Sequence, residues 1–137
     1  MSAIFTGGCI CGAVRYACSA EPVIAASCHC RDCQKAGGGA FAPALVVPAV
    51  SLKITGEAKY HDTQSDNGTT VSRGFCPNCG ARLLGKATTM PDLTAIMAGS
   101  LDDPSWYQPN MDIYTASAQP WDSMNPELPK FQKSPRR

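Results

Sequence analysis

Seven of the eight cysteines in this chain are separated from another by only one or two intervening residues: Cys9 and Cys11, then Cys28, Cys30 and Cys33, then Cys76 and Cys79. Such close neighbours seldom bridge each other as structural disulfides, but they readily share one metal ion. "FCPNCG", running from Phe75 to Gly80, is the strongest local signal. Pro77 shapes the turn between Cys76 and Cys79, and Gly80 permits a left-handed backbone, which makes a zinc knuckle whose amide hydrogens face the thiolates. A knuckle supplies half a site. "GGCICGAVRY" offers a second pair, Cys9 and Cys11, with Gly8 and Gly12 allowing a tight bend that aims both sulfurs the same way. Spacing alone leaves the pairing open. Cys9, Cys11, Cys76 and Cys79 would close a Cys₄ shell, whereas the usual ribbon spacing joins Cys30 and Cys33 to Cys76 and Cys79 and leaves Cys9, Cys11 and Cys28 over.

The elements that must hold these residues are strands. "AVRYAC" puts Val14, Tyr16 and Cys18 on one face and Arg15 on the other. This makes the eighth cysteine, Cys18, a buried core residue. "PVIAASC", "FAPALVV", "SLKIT", "KYHDT", "TTVSRGF", "ARLLGK" and "LTAIMAGSL" read as further strands. Asp66-Asn67-Gly68 marks a hairpin turn, because Asn and Gly tolerate positive φ angles. Only "HCRDCQKAG" suggests a helical turn, ended by the glycines at 37 to 39. The expected fold is mainly β: a small zinc-stabilised antiparallel domain over residues 1–137 with little helix, its proline- and lysine-rich tail from about residue 126 an ordered turn followed by a frayed end. Small β domains with thin cores often need a metal staple.

Hydrophobic residues make up 44% and charged ones 17%, so the chain is globular rather than disordered. A net charge of +1 gives no electrostatic reason to expect nucleic acid or an acidic membrane as partner, and "KFQKSPRR" is a meagre basic stretch. No segment approaches the roughly 20 apolar residues of a membrane span. The N-terminus has neither the basic flank nor the apolar core of a signal peptide. The expected location is cytoplasmic, where thiols stay reduced. The exposed edges of a small β domain leave room for a homodimer.

The motifs "GGCICGAVRY", "SCHCRDCQKAGG", "RGFCPNCGARL" and "AGSLDDPSW", in this order, closely resemble the glutathione-dependent formaldehyde-activating family, which also contains the centromere protein V domain. The resemblance runs from about Phe5 to about Phe131. It implies a β-tent fold with two zinc ions per chain: a structural one held by Cys9, Cys11, Cys76 and Cys79, and a catalytic one held by Cys28, Cys30 and Cys33. That division agrees with the chemistry, since closed four-ligand sites are structural and a three-ligand site keeps a position for substrate. The family's reaction is addition of glutathione sulfur to formaldehyde, giving S-(hydroxymethyl)glutathione, and its reverse, a carbon–sulfur lyase step. The expected partner is therefore a small glutathione-like thiol held at the three-cysteine site. The alternative is a non-catalytic zinc module that binds a protein or small ligand. The triple cluster favours the enzyme, because a scaffold has no use for an open position.

Other residues have two readings. His29 lies between two cysteines, and in extended backbone its side chain points away from them; it serves as ligand or proton shuttle, or is simply satisfied elsewhere. His61 reads as structural. Arg31, Lys35 and Arg73 either pair with glutathione's carboxylates or are solvated charge. Asp32 orients a ligand or caps the turn. Trp106 and Trp121 read as packing residues. Where many members of that family carry a histidine in the stretch matching "QPNMDIYTASAQPW", this chain has Met111 and Asp112.

Overall fold

A computed structural model describes residues 2–135. Its strands are β1 (Phe5–Gly8), β2 (Arg15–Cys18), β3 (Ile24–Cys28), β4 (Ala42–Pro48), β5 (Leu52–Thr55), β6 (Lys59–Gln64), β7 (Thr70–Phe75), β8 (Arg82–Ala87), β9 (Leu93–Met97) and β10 (Met111–Ile113). A single α-helix among the described residues, α1 (Arg31–Gly37), follows β3. The strands form a three-stranded sheet, β1-β2-β5, and a seven-stranded sheet, β10-β3-β4-β9-β8-β7-β6. Every expected run becomes a strand. Two strands were not expected, β1 and β10, and both are short. β10 also breaks the antiparallel rule: Met111, Asp112 and Ile113 run parallel to Ala26, Ser27 and Cys28.

The core lies between the sheets. Period-two alternation turns Leu45 and Val47 of β4 inward with Ile96 of β9, where they meet Tyr16 and Cys18 of β2 and Val14 just before it. Burying each such aliphatic side chain contributes about 1.5–3 kcal/mol. Cys18 is fully buried, as its alternation requires. Outward-facing Arg15 pairs with Asp102 at 2.5 Å, and Thr6 also donates to Asp102 at 2.6 Å. The Tyr16 hydroxyl meets Ser100 Oγ at 2.6 Å. The "AGSLDDPSW" segment thereby ties itself to β1 and β2.

Between β7 and β8 the register slips by one residue, since Gly74 opposes Leu84 but Phe75 opposes Arg82. The extra residue is Leu83. This bulge lets Leu83 and Leu84 both bury while Arg82 and Gly85 share the opposite face.

The turn at Asp66-Asn67-Gly68 forms as expected, with Gly68 at φ 84° and the Asn67 side chain accepting from the Thr69 amide. Gly56 has a similar φ of 85°, but a Cβ there would collide with the Ala13 carbonyl oxygen, whereas nothing lies within 4 Å at Gly68. Left-handed backbone costs an ordinary residue about 1–2 kcal/mol. Gly68→Ala is therefore expected to lose about that much stability, and Gly56→Ala distinctly more, read as the difference in thermal midpoints of the two variants.

The ordered part of the tail extends along β10 as far as residue 133. Asp112 N donates to Pro129 O, Phe131 N to Asp112 O and Tyr114 N to Lys133 O, which holds residues 129–133 along β10. Residues 136–137 lie outside the described residues.

Candidate metal centres and the adjoining cavity

Cys9 and Cys11 sit in the turn after β1, and Cys76 and Cys79 in the β7–β8 turn; their four sulfurs all lie within 4.8 Å of one another. A tetrahedral ion with metal–sulfur bonds of about 2.3 Å separates its sulfurs by about 3.8 Å. Cys9 and Cys11 Sγ are 3.7 Å apart, and Cys11 and Cys76 Sγ 3.8 Å. Spacing and donor set both fit a closed four-sulfur metal site.

The surrounding backbone behaves as a knuckle should. Val14 N donates to Cys9 Sγ at 3.3 Å, Asn78 N to Cys76 Sγ at 3.4 Å and Asn78 Nδ2 to Cys11 Sγ at 3.1 Å. The Val14 amide is the first reason that the Cys9 thiol is lowered to about 6. Gly80, at φ 81°, ends the turn and donates to Cys76 O at 2.8 Å.

Cys28, Cys30 and Cys33 form the second group, again with all sulfurs within 4.8 Å of one another. Cys28 closes β3, Cys30 caps the N-terminus of α1 by accepting from Cys33 N at 3.3 Å, and Cys33 lies in the first turn. Gly38, at φ 80°, terminates the helix, so one of the three glycines has a defined role. The pairing that spacing left open is resolved geometrically: Cys76 and Cys79 join Cys9 and Cys11, while Cys30 and Cys33 join Cys28.

Charge in the three-cysteine group gathers on Cys33. Its thiol is held far below the ordinary range by hydrogen bonds with Cys28 and Cys30, then by Arg73, whose Nη2 donates to Sγ at 3.6 Å. Cys28 is pushed up, since its hydrogen bonds to Cys30 and Cys33 favour its protonated form and burial adds to them. Burial opposes the charge of Arg73, but the Cys33 thiolate outweighs it.

Of the cations considered from sequence, Arg73 alone touches a cysteine sulfur. Arg31 donates to Gln34 Oε1, and Lys35 is exposed on α1. Asp32 is exposed and is not the cap, a role Cys30 takes. His61 is exposed on the edge strand β6. Trp106 packs against Phe5 with ring centroids 5.3 Å apart, but Trp121 is 67% exposed and packs poorly, contrary to expectation.

His29 is fully buried and outside the cysteine groups. Its Nε2 faces Asp112 Oδ1 at 2.8 Å and its Nδ1 faces Asp122 Oδ2 at 2.5 Å, while Lys130 Nζ donates to Asp112 Oδ2 at 3.1 Å. Asp112, which stands where a histidine was anticipated from the family pattern, is thus occupied in holding His29. Asp122 and Lys130 could not be found from sequence. Neither carries a local motif, and only the tail's return along β10 brings Lys130 there.

The three-cysteine group opens onto a cavity of about 620 Å³. Its floor is the outer face of the large sheet, and α1, the β6–β7 turn and the segment after β10 form its walls. At the rim Lys133 Nζ pairs with Asp66 Oδ2 at 2.8 Å, and the Tyr114 hydroxyl donates to Asp66 Oδ1 at 3.5 Å. Tyr114 is the one non-glycine residue with positive φ, 57°, among those described.

These features define a two-sheet β protein with one closed four-cysteine cluster and one three-cysteine cluster facing a small-molecule-sized cavity. The chain belongs to the family described as glutathione-dependent formaldehyde-activating enzyme, which it matches over residues 4–117. A solved crystal structure of a Rhodobacter sphaeroides protein is similar in fold, with a TM-score of 0.56 and 21% identity, covering 91% of this chain and 98% of that one.

Proposed function

We infer that this protein is a zinc-dependent carbon–sulfur lyase that makes or cleaves a glutathione-type thiol–aldehyde adduct, of which S-(hydroxymethyl)glutathione is the family's example. The observation carrying this reading is the unequal pair of clusters, four sulfurs closed on themselves at a sheet junction and three at the floor of a cavity. Cys9, Cys11, Cys76 and Cys79 would hold a structural zinc, and Cys28, Cys30 and Cys33 a catalytic one. A bound zinc with an open position lowers the pKa of a thiol and fixes its sulfur.

The chain's own residues supply the rest. In the synthetic direction the thiol sulfur bonds to the carbonyl carbon, and the thiol proton ends on the carbonyl oxygen. In the lyase direction the carbon–sulfur bond breaks, its electron pair stays on sulfur, and the hydroxyl proton ends on that sulfur as the carbonyl re-forms. Arg73 puts a fixed positive charge beside Cys33, which favours anionic sulfur at the cluster. The cavity excludes bulk water from one side of the reacting atoms and orients the substrate.

Exchange between free and adducted formaldehyde in the presence of glutathione, followed by NMR, tests the reading. The wild-type protein should accelerate exchange above the spontaneous rate and carry two zincs per chain. Cys30→Ser should retain one zinc and the native circular dichroism, with exchange falling to the spontaneous rate. No acceleration by a two-zinc protein would overturn the assignment of this substrate pair.

A further inference from the structure

The floor of the cavity is built for something larger and less polar than formaldehyde. Across the large sheet, Ala26 opposes Ala44 and Ala44 opposes Met97, while Val46 opposes Ala95 and Ala95 opposes Gly85. Because side chains alternate along each strand, Ala44 and Val46 share one face, and Leu45 and Val47 fill the core on the other. The outer face is therefore a patch of small apolar residues running away from the three cysteines. Small side chains at its centre create the concavity, and a Cβ on Gly85 would only reach ordinary contact with Ala95.

Two guanidinium groups stand beside this apolar floor. Arg73 and Arg82 both line the cavity, and no carboxylate pairs with either among the described residues. The Nε of each is buried without a hydrogen-bond partner. Arg82 spends one nitrogen on the Leu84 carbonyl, at 2.6 Å, and the bulge at Leu83 is what turns it toward the cavity. Burial, and after it the neighbouring charge of Arg73, press on the Arg82 guanidinium. An anion between the two would relieve both effects. Formaldehyde has neither an apolar body nor a charge to offer this surface.

We propose that the preferred substrate is a thiohemiacetal of a carboxylate-bearing thiol and a bulky apolar aldehyde. Its hydrocarbon chain lies on the floor formed by Ala44, Val46, Ala95 and Met97, and its carboxylate lies between Arg73 and Arg82. This rests on reading the three-cysteine cluster as the site of thiol-adduct chemistry. The bond bookkeeping is unchanged: sulfur joins the carbonyl carbon, the thiol proton passes to the carbonyl oxygen, and no electrons are exchanged. The cavity volume of about 620 Å³ fits an adduct of this size, lying within the usual small-molecule range of about 300–1,000 Å³.

S-alkyl glutathiones with methyl, butyl, hexyl and octyl chains mimic the adduct without undergoing the reaction. Titrated calorimetrically into the zinc-loaded protein, they should bind more tightly by up to about fourfold per added methylene until the floor is covered. Ala95→Phe, which fills the floor, should abolish that gain while S-methylglutathione binds as before, which also shows that the variant folds. Arg82→Met should weaken the whole series uniformly, by about tenfold. A flat chain-length series would overturn the proposal. So would a dimer that Val46→Glu converts to monomer, because the apolar face would then belong to a second copy. NMR exchange with octanal and with formaldehyde separates the two readings. Formaldehyde exchange without chain-length dependence sinks this inference and leaves the lyase reading intact. Chain-length-dependent binding with no exchange of either aldehyde supports the ligand class and sinks the lyase reading.

Discussion

Replacing Cys76 by serine is expected to unfold the protein at 25 °C, whereas replacing Cys28 by serine should leave it folded. The difference lies in what each cluster connects. Cys76 is fully buried, belongs to the hydrophobic core and starts the β7–β8 turn of the large sheet. Its sulfur partners Cys9 and Cys11 lie in the turn between β1 and β2 of the small sheet. With a metal ion bound, the four-sulfur cluster would therefore staple the two sheets together. A structural zinc contributes about 10–16 kcal/mol to small zinc domains, which is as large as the whole stability of about 5–15 kcal/mol typical of a domain. Cys28, Cys30 and Cys33 all lie within one stretch running from β3 into α1, so their cluster bridges no distant elements. Loss of β-sheet circular dichroism with Cys76→Ser, alongside a native spectrum and one remaining zinc with Cys28→Ser, is the expected pair of results. A cooperative thermal transition of wild-type midpoint in Cys76→Ser would refute the staple.

The strands were legible because they are short, alternating or β-branched, and punctuated by turn residues, as in "FAPALVV" and the Asp66-Asn67-Gly68 turn. β1 and β10 were not. "FTGG" has two glycines and a single β-branched residue, Thr6, and "MDI" is three residues long; each exists because a neighbouring strand offers it hydrogen bonds. The cysteine groups were visible from spacing, but their division needed contacts between residues some 65 positions apart, such as Cys11 with Cys76. The cavity was invisible for a different reason. Its floor depends on which side of β4, β8 and β9 faces the small sheet, and on a bulge at Leu83 that no local signal announces. The support for His29 was equally hidden, because Asp112, Asp122 and Lys130 stand 83, 93 and 101 positions away in sequence.

That support leads to the second large expected effect, that of Asp112→Ala. His29 sits between Cys28 and Cys30, and its ring is locked between two carboxylates whose side chains are 5% and 1% exposed. Its backbone is held too, since His29 N donates to Ile113 O at 2.9 Å and Gln34 Nε2 donates to His29 O at 2.7 Å. Removing the Asp112 carboxylate strands the ring on one side and leaves Lys130 with only the carbonyls of Asn125 and Leu128. Breaking a buried pair in this way costs about 3–5 kcal/mol, a fall in melting temperature of roughly 10–20 °C for a domain of this size. Lys130→Met should cost far less, because the Lys130 side chain is 32% exposed and water can replace it. Asp112→Asn should fall between them, since it keeps an acceptor and loses the charge. If the network positions the cysteines as well as stabilising the fold, Asp112→Ala should also weaken zinc at the three-cysteine cluster by about 10–100-fold. The four-cysteine cluster, built on the β1–β2 and β7–β8 turns, should keep its affinity. Competition with a chromophoric chelator resolves the two ions, and a parallel loss at both would reduce the network to general stability and remove its claim on the site.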